Sequence, residues 1–220
     1  PAEGYRYLLT ERAGDAVIPR VVLVITGGDG VLNLAVSEAR EVIAAPGAEN
    51  RARLAEAVGA VATLDMEPPI DFEARFEPAH ANRLVAVAQS LRARFPAAGL
   101  YVYGLSNGAV SAGALAVRNA VPLAGVVFVS SSSSALNREV LDPIKAPILI
   151  VHHKRDSCTE WRYVMDIAKW YPTLLVDDPQ LPRPMGARDC GAGSAHQFGR
   201  KRTEVQAAII EWINTGKTVT

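Results

Sequence analysis

The segment Gly104-Leu105-Ser106-Asn107-Gly108 constrains this chain more than any other feature. It follows the strand-like run Leu100 to Leu105 and precedes an alanine-rich stretch, Ser106 to about Asn119, that reads as a helix. A G-x-S-x-G segment between strand and helix marks a tight, strained turn that holds a serine hydroxyl above the end of a sheet. Side chains two residues before and after that serine would collide across the turn, so both positions favour glycine. The small residues Ala109, Ser111, Ala112, Gly113 and Ala114 allow the helix to approach the sheet closely.

The rest of the chain repeats the same alternation. Val21 to Ile25, Val61 to Asp65, Gly125 to Ser130 and Pro147 to His152 are β-branched runs of the kind buried on both faces of a parallel sheet. Tyr5 to Thr10 alternates and suits an edge strand, and Thr173 to Val176 forms a short one. Apolar residues recur at helical spacing over His80 to Phe95 and Glu204 to Trp212, and Thr159 to Trp170 also reads as helix. This pattern predicts a single α/β domain over residues 1–220, with a mainly parallel sheet and helices on both faces. At 220 residues such a domain buries a core without help from a metal. Lys plus Arg balances Asp plus Glu at 23 each, which excludes a nucleic-acid partner held by excess basic charge. No apolar run is long enough for a membrane span.

A serine hydroxyl is a weak nucleophile until a positioned base removes its proton. Asp156 stands just past the Pro147 to His152 strand, at the carboxyl edge where open α/β sheets bind ligands, and is the favoured acid. Asp65, Asp177, Asp178 and Asp189 compete, although Asp177 and Asp178 fit a solvated loop. His196 lies in a loop before the terminal helix and is the favoured base. His80 begins a helix and reads as a cap or surface residue, while a strand turns His152 and His153 to opposite faces. The developing oxyanion needs two backbone donors. One is the N–H of Asn107, and the other comes from Gly27-Gly28-Asp29-Gly30, at either Gly28 or Asp29. That loop has neither a Gly-Lys-Ser/Thr ending nor G-x-G-x-x-G spacing, so it does not read as a nucleotide cradle.

With these residues in this order, the chain resembles the α/β-hydrolase superfamily, and within it small bacterial serine esterases with a compact, dienelactone-hydrolase-like layout. The resemblance rests on the Gly27–Gly30 and Gly104–Gly108 segments, on Val151 to Cys158 and on Ala195-His196. It implies an α/β-hydrolase fold with a minimal lid or none, and acyl-enzyme chemistry on a small-molecule ester without metal or other cofactor. A thioesterase, lactonase or peptidase would use the same machinery, and a non-catalytic binding protein would use the same scaffold. The chain lacks the His-Gly-Gly-Gly segment of hormone-sensitive-lipase-like esterases, and it has Ser106 where dienelactone hydrolases have cysteine.

Cys158 lies two residues past the candidate acid and Cys190 six before the candidate base. If those loops converge on Ser106, the cysteines meet, and a disulfide between them implies an oxidising compartment such as the periplasm or exterior rather than the cytoplasm. A rival reading gathers His152, His153, Asp156, Cys158, Cys190 and His196 into a zinc site. The stretches Ile70 to Glu77 and Asp178 to Gly193, with Trp161 and Tyr163, are the expected pocket walls.

Overall fold

Seven strands form one sheet in the order β1-β5-β2-β6-β7-β8-β9 in the computed structural model, which describes residues 4–14, 17–36, 42–45, 47–181 and 189–218. The strands are β1 (Arg6–Glu11), β2 (Arg20–Ile25), β5 (Gly59–Asp65), β6 (Gly99–Leu105), β7 (Gly125–Val129), β8 (Ile148–His153) and β9 (Thr173–Val176). Only β1 runs antiparallel, on β5 at the sheet edge. The short strands β3 (Ala35–Val36) and β4 (Val42–Ala44) pair separately.

Residues alternate across the sheet with the period of two that a pleated strand imposes. Val21, Leu23 and Ile25 of β2 join the core beneath α2 (Pro78–Arg94) and α3 (Asn107–Ala116), together with Leu84, Leu91 and Ala112. Val22 and Val24 face the opposite core, under α1 (Ala48–Val58) and α6 (Arg202–Thr215), where Leu54, Ile209 and Trp212 pack. The strands β6, β7 and β8 divide in the same way, so each sheet face carries its own apolar core. The expected parallel sheet covered on both faces is therefore present.

Chain order fixes where a ligand can enter. After β2 the chain crosses through α1 to β5 on one side, then through α2 to β6 on the other side of β2. The direction of travel reverses between β2 and β6, and such a switch point opens a crevice at the carboxyl ends of the strands. Those ends carry Thr26 to Gly30 and Ser106.

Two elements differ from expectation. The stretch Thr159 to Trp170 is mostly turns, with helix only at α5 (Val164–Ile167). The carboxylate of Asp156 accepts the N–H groups of Cys158 and Thr159 and closes the turn that follows β8. The helix α1 has no counterpart in the sequence reading, because its buried face is only Leu54, Ala55 and Val58. A further short helix, α4 (Arg138–Leu141), follows the serine run and is capped by the Asn137 side chain.

Glycine clearance at α3 gives a direct prediction. A Cβ on Gly108 would overlap the Ile25 carbonyl, whereas one on Gly113 would sit 3.2 Å from a Val140 methyl. Gly108→Ala should cost about 3 kcal/mol of stability through overpacking. Gly113→Ala should stay within about 1 kcal/mol of wild type, since helix propensity offsets the tight contact. Urea denaturation of both variants checks this, and equal losses would contradict it.

Candidate active site

Ser106 leaves β6 with φ 54° and ψ −125°. A non-glycine residue held in so sparsely populated a region costs about 1–3 kcal/mol and persists only where its surroundings enforce it. Here the Ser106 N–H donates to the Val129 carbonyl at 2.9 Å, and the Ser106 carbonyl accepts from Ala109 N–H at 2.9 Å. Gly104 and Gly108 carry the turn as expected, because a Cβ on Gly104 would lie 2.6 Å from the Ala109 Cα. Gly27 serves the same end from the facing loop, where an added Cβ would stand 2.8 Å from the Ser106 Cβ.

Asp156 and His196 are brought together. The His196 Nδ1 lies 2.8 Å from Asp156 Oδ2, with both side chains buried. Asp156 Oδ2 also accepts from Thr159 Oγ1 at 2.8 Å, and Oδ1 accepts from Cys158 N–H and Thr159 N–H at 2.8 and 3.0 Å. Burial alone would raise the Asp156 pKa. The hydrogen bond from His196, the charge interaction with it and the Thr159 N–H outweigh burial and hold the carboxyl below its usual range. The His196 carbonyl accepts from Ser130 Oγ at 2.8 Å, which ties His196 to the end of β7 beside Ser106. No hydrogen bond joins Ser106 Oγ to His196 among the described residues, and such bonds commonly tighten only with substrate present.

The competing acids are occupied elsewhere. Asp178 is buried rather than solvated, and it accepts from Arg200 Nη2 at 3.1 Å and from Gln180 N–H at 3.0 Å. Asp177 does face solvent, against Arg155 at 3.3 Å. Asp65 accepts from Leu32 N–H and Arg6, and Asp189 from Gly191 N–H.

The loop after β2 is pinned from several sides. The Gly27 carbonyl accepts from Gly30 N–H, Asp29 Oδ1 from Val31 N–H, and the Asp29 carbonyl from Ile70 N–H. The Gly28 carbonyl accepts from Arg75 Nη2 at 2.8 Å and from Asn107 Nδ2 at 3.3 Å. Gly28 has φ 60°, which glycine adopts without strain. No backbone acceptor among the described residues engages the N–H groups of Gly28, Asp29 or Asn107.

Cys158 and Cys190 form a disulfide with Cα atoms 5.0 Å apart. The bond takes both sulfurs out of the six-residue zinc set. His152 and His153 are both fully buried and point to opposite faces, against the rings of Tyr163 and Phe198 respectively. Burial pulls both imidazoles below their ordinary pKa.

Three residues depart from expectation. His80 is buried, not a surface cap, with Nδ1 2.6 Å from Tyr5 Oη and Nε2 2.9 Å from Ser111 Oγ. Tyr163 packs on His152 and donates to the Ser131 carbonyl instead of lining a pocket. Arg75 lies within the expected pocket wall Ile70 to Glu77 but is fully buried, which a lone arginine between Ala74 and Phe76 does not signal. Trp161 does border two clefts, of about 390 and 470 Å³, that Asp156 also lines. A cavity of about 430 Å³ lies on the α1/α6 face, lined among others by Gly27, Leu105, Phe198, Val24, Val61 and Ile209. Of the expected wall Asp178 to Gly193, residues 182–188 lie outside the described residues.

Two measurements test this electrostatic and covalent framework. Burial, reinforced by the Arg75 and Arg83 charges, lowers the His80 pKa to about 4. The unfolded chain takes up that proton near 6.5, so the stability His80 contributes is complete above pH 6.5 and is lost as pH falls towards 4. His80→Gln should flatten the fall in urea midpoint between pH 6.5 and 4, and an unchanged slope would contradict this. Cys158→Ser should cost about 3–4 kcal/mol on the chain-entropy account of a 32-residue separation. Thiol titration of the denatured, unreduced protein should find no free thiol, and two would contradict the bond.

No family model matches the chain, and no curated protein matches it in sequence. Solved structures do match. Est1E from Butyrivibrio proteoclasticus, bound to ferulic acid, superposes with a TM-score of 0.68 at 13% identity, covering 95% of this chain and 94% of that one. XC6422 from Xanthomonas campestris, described as a lid-less α/β serine hydrolase, gives 0.62 at 16% identity over 99% and 97%. A dienelactone hydrolase from Anabaena variabilis gives 0.59 at 18% identity over 94% and 89%. The chain thus resembles these hydrolases along nearly its whole length and has the α/β-hydrolase fold.

Proposed function

We propose that this protein is a serine hydrolase that cleaves carboxylic esters of small or medium acyl groups. The observation that carries the reading is the buried Asp156–His196 pair at the same sheet edge as the strained Ser106 turn. In the proposed reaction, Ser106 Oγ attacks the ester carbonyl while its proton passes to His196 Nε2. Asp156 holds the other imidazole proton at Nδ1 and stabilises the imidazolium. The tetrahedral oxyanion takes hydrogen bonds from Asn107 N–H and from the N–H of Gly28 or Asp29. As the carbonyl re-forms, the alcohol leaves with the proton from His196. Water then attacks the acyl-enzyme by the same route, releasing the acid and regenerating Ser106.

The space available supports this substrate class. The 430 Å³ cavity has mainly apolar walls, with Arg51 and Arg202 among them, and includes Gly27 and Leu105, which supports an acyl chain or ring as its occupant. The ferulic acid held by the Butyrivibrio neighbour supports including aromatic acyl esters in any substrate panel. Each chemical step here uses side chains and backbone groups of the chain itself. The disulfide supports a periplasmic or secreted location. No helix among the described residues is long and apolar enough to cross a membrane.

Ser106→Ala should lower ester hydrolysis by roughly a thousandfold or more with the fold intact. Asp156→Asn should lower kcat by a comparable factor through the wrong His196 tautomer, while Asp178→Asn leaves kcat near wild type. Steady-state kinetics on p-nitrophenyl esters checks both, and the reverse ranking of the two aspartates would overturn the acid. Across acyl esters, thioesters, lactones and peptide anilides, the highest kcat/KM should fall among the esters. Preference for another class would move the assignment there, and no turnover with no fluorophosphonate labelling would indicate a binding protein.

A further inference from the structure

Arg75 sits in a 3-10 turn, Glu73–Phe76, with no solvent exposure. Charged side chains are almost never fully buried unless an opposite charge pairs with them. Arg75 has no carboxylate at hydrogen-bond distance among the described residues. Its Nη1 donates to Ser111 Oγ at 2.7 Å, with Met66 Sδ at 3.7 Å, and its Nη2 donates to the Gly28 carbonyl at 2.8 Å. Its Nε has no partner. Ser111 continues the chain of bonds to His80 and Tyr5, and the Arg83 guanidinium lies 3.7 Å from the centre of the Tyr5 ring. Burial pulls the Arg75 pKa down, and Tyr5 and Asp29 act against that.

An apolar side chain of similar size would fill this site without the cost of burying a cation. The fold gains little from Arg75 that packing could not supply, so the position of its second prong is the informative fact. That prong holds the carbonyl of the peptide joining Gly28 to Asp29, in the loop that Gly27 presses against Ser106.

We propose that Arg75 is a positioning residue, a buried cation that clamps the oxyanion loop from behind and aligns its peptide N–H groups with the reacting carbonyl oxygen. In a trans peptide the C=O and N–H point in opposite senses. Holding the Gly28 carbonyl inward therefore turns the Asp29 N–H away from Arg75. The guanidinium also polarises that peptide and places fixed positive charge behind the site of developing negative charge. Ser111, His80 and Tyr5 hold the guanidinium in register. Lysine would keep the charge but lose the two-pronged grip, so the geometry selects arginine. The catalytic half of this proposal rests on the serine hydrolase reading, whereas the clamp itself does not.

The test uses the full chain with Arg75→Lys, Arg75→Met and Ser111→Ala, read in two ways. Amide hydrogen exchange at Gly30, Val31 and Leu32, whose N–H groups are bonded within or beneath the loop, reports its opening. Kinetics on p-nitrophenyl acetate and inhibition by a phenylboronic acid, which forms a tetrahedral anion on an active serine, report its catalytic use. Both arginine variants should exchange the loop amides roughly tenfold faster or more, and lower kcat and boronate affinity by a similar factor with KM within about threefold. Ser111→Ala should shift each in the same direction by less, and it decides the matter with Arg75→Lys if Arg75→Met fails to fold. Unchanged loop exchange would overturn the clamp, and faster exchange with unchanged kcat would overturn its catalytic role. If the wild type neither turns over ester nor binds boronate, the hydrolase reading falls, and exchange alone upholds or overturns the clamp.

Discussion

The close approach of two backbone turns governs this site. The turn at Ser106 and the loop at Gly27 leave adjacent strands, β6 and β2, at the point where the sheet's connection direction reverses. They meet with no room for a methyl group at Gly27 or Gly108. That contact accompanies the positive φ of Ser106, brings the first residue of α3 against the loop, where Asn107 Nδ2 donates to the Gly28 carbonyl, and leaves no room for a side chain at Gly108. The strain stored at Ser106 is offset by the apolar cores on both sheet faces and by the hydrogen bond from Ser106 N–H to the Val129 carbonyl.

Asp156 and His196 arrive on loops, which are the less rigid parts of any fold. Their placement is fixed by local bonds more than by packing. Asp156 receives four hydrogen bonds, two of them from backbone N–H groups of the residues that follow it. The disulfide joins the loop that begins at Asp156 to the one that leads to His196, and Ser130 holds the His196 carbonyl. Residues on three separate connections are thereby brought to one edge with little freedom between them.

Much of this was legible in the sequence because it rests on local rules. The G-x-S-x-G segment has few structural solutions, and β-branched runs such as Val126 to Val129 and Ile148 to Val151 match strands buried on both faces. The convergence of Cys158 and Cys190 followed from the requirement that the acid and base loops meet. What was hidden depended on long-range burial. Arg75 and His80 lie 36 and 31 residues from the Ser111 they contact, and each looks like a surface residue in its local context. Asp178 hides in the same way behind Arg200. The helix read over Thr159 to Trp170 is realised only at Val164–Ile167, with turns before and after it.

The central claim is that Ser106 forms a covalent acyl intermediate. Rapid mixing with p-nitrophenyl acetate, acid quenching within the first turnover and peptide mass mapping tests it most directly. The account predicts one acetyl group per chain on the peptide containing Ser106, with a matching burst of p-nitrophenol. Steady turnover with no acetylated peptide, or acetylation at another residue that survives Ser106→Ala, would contradict it.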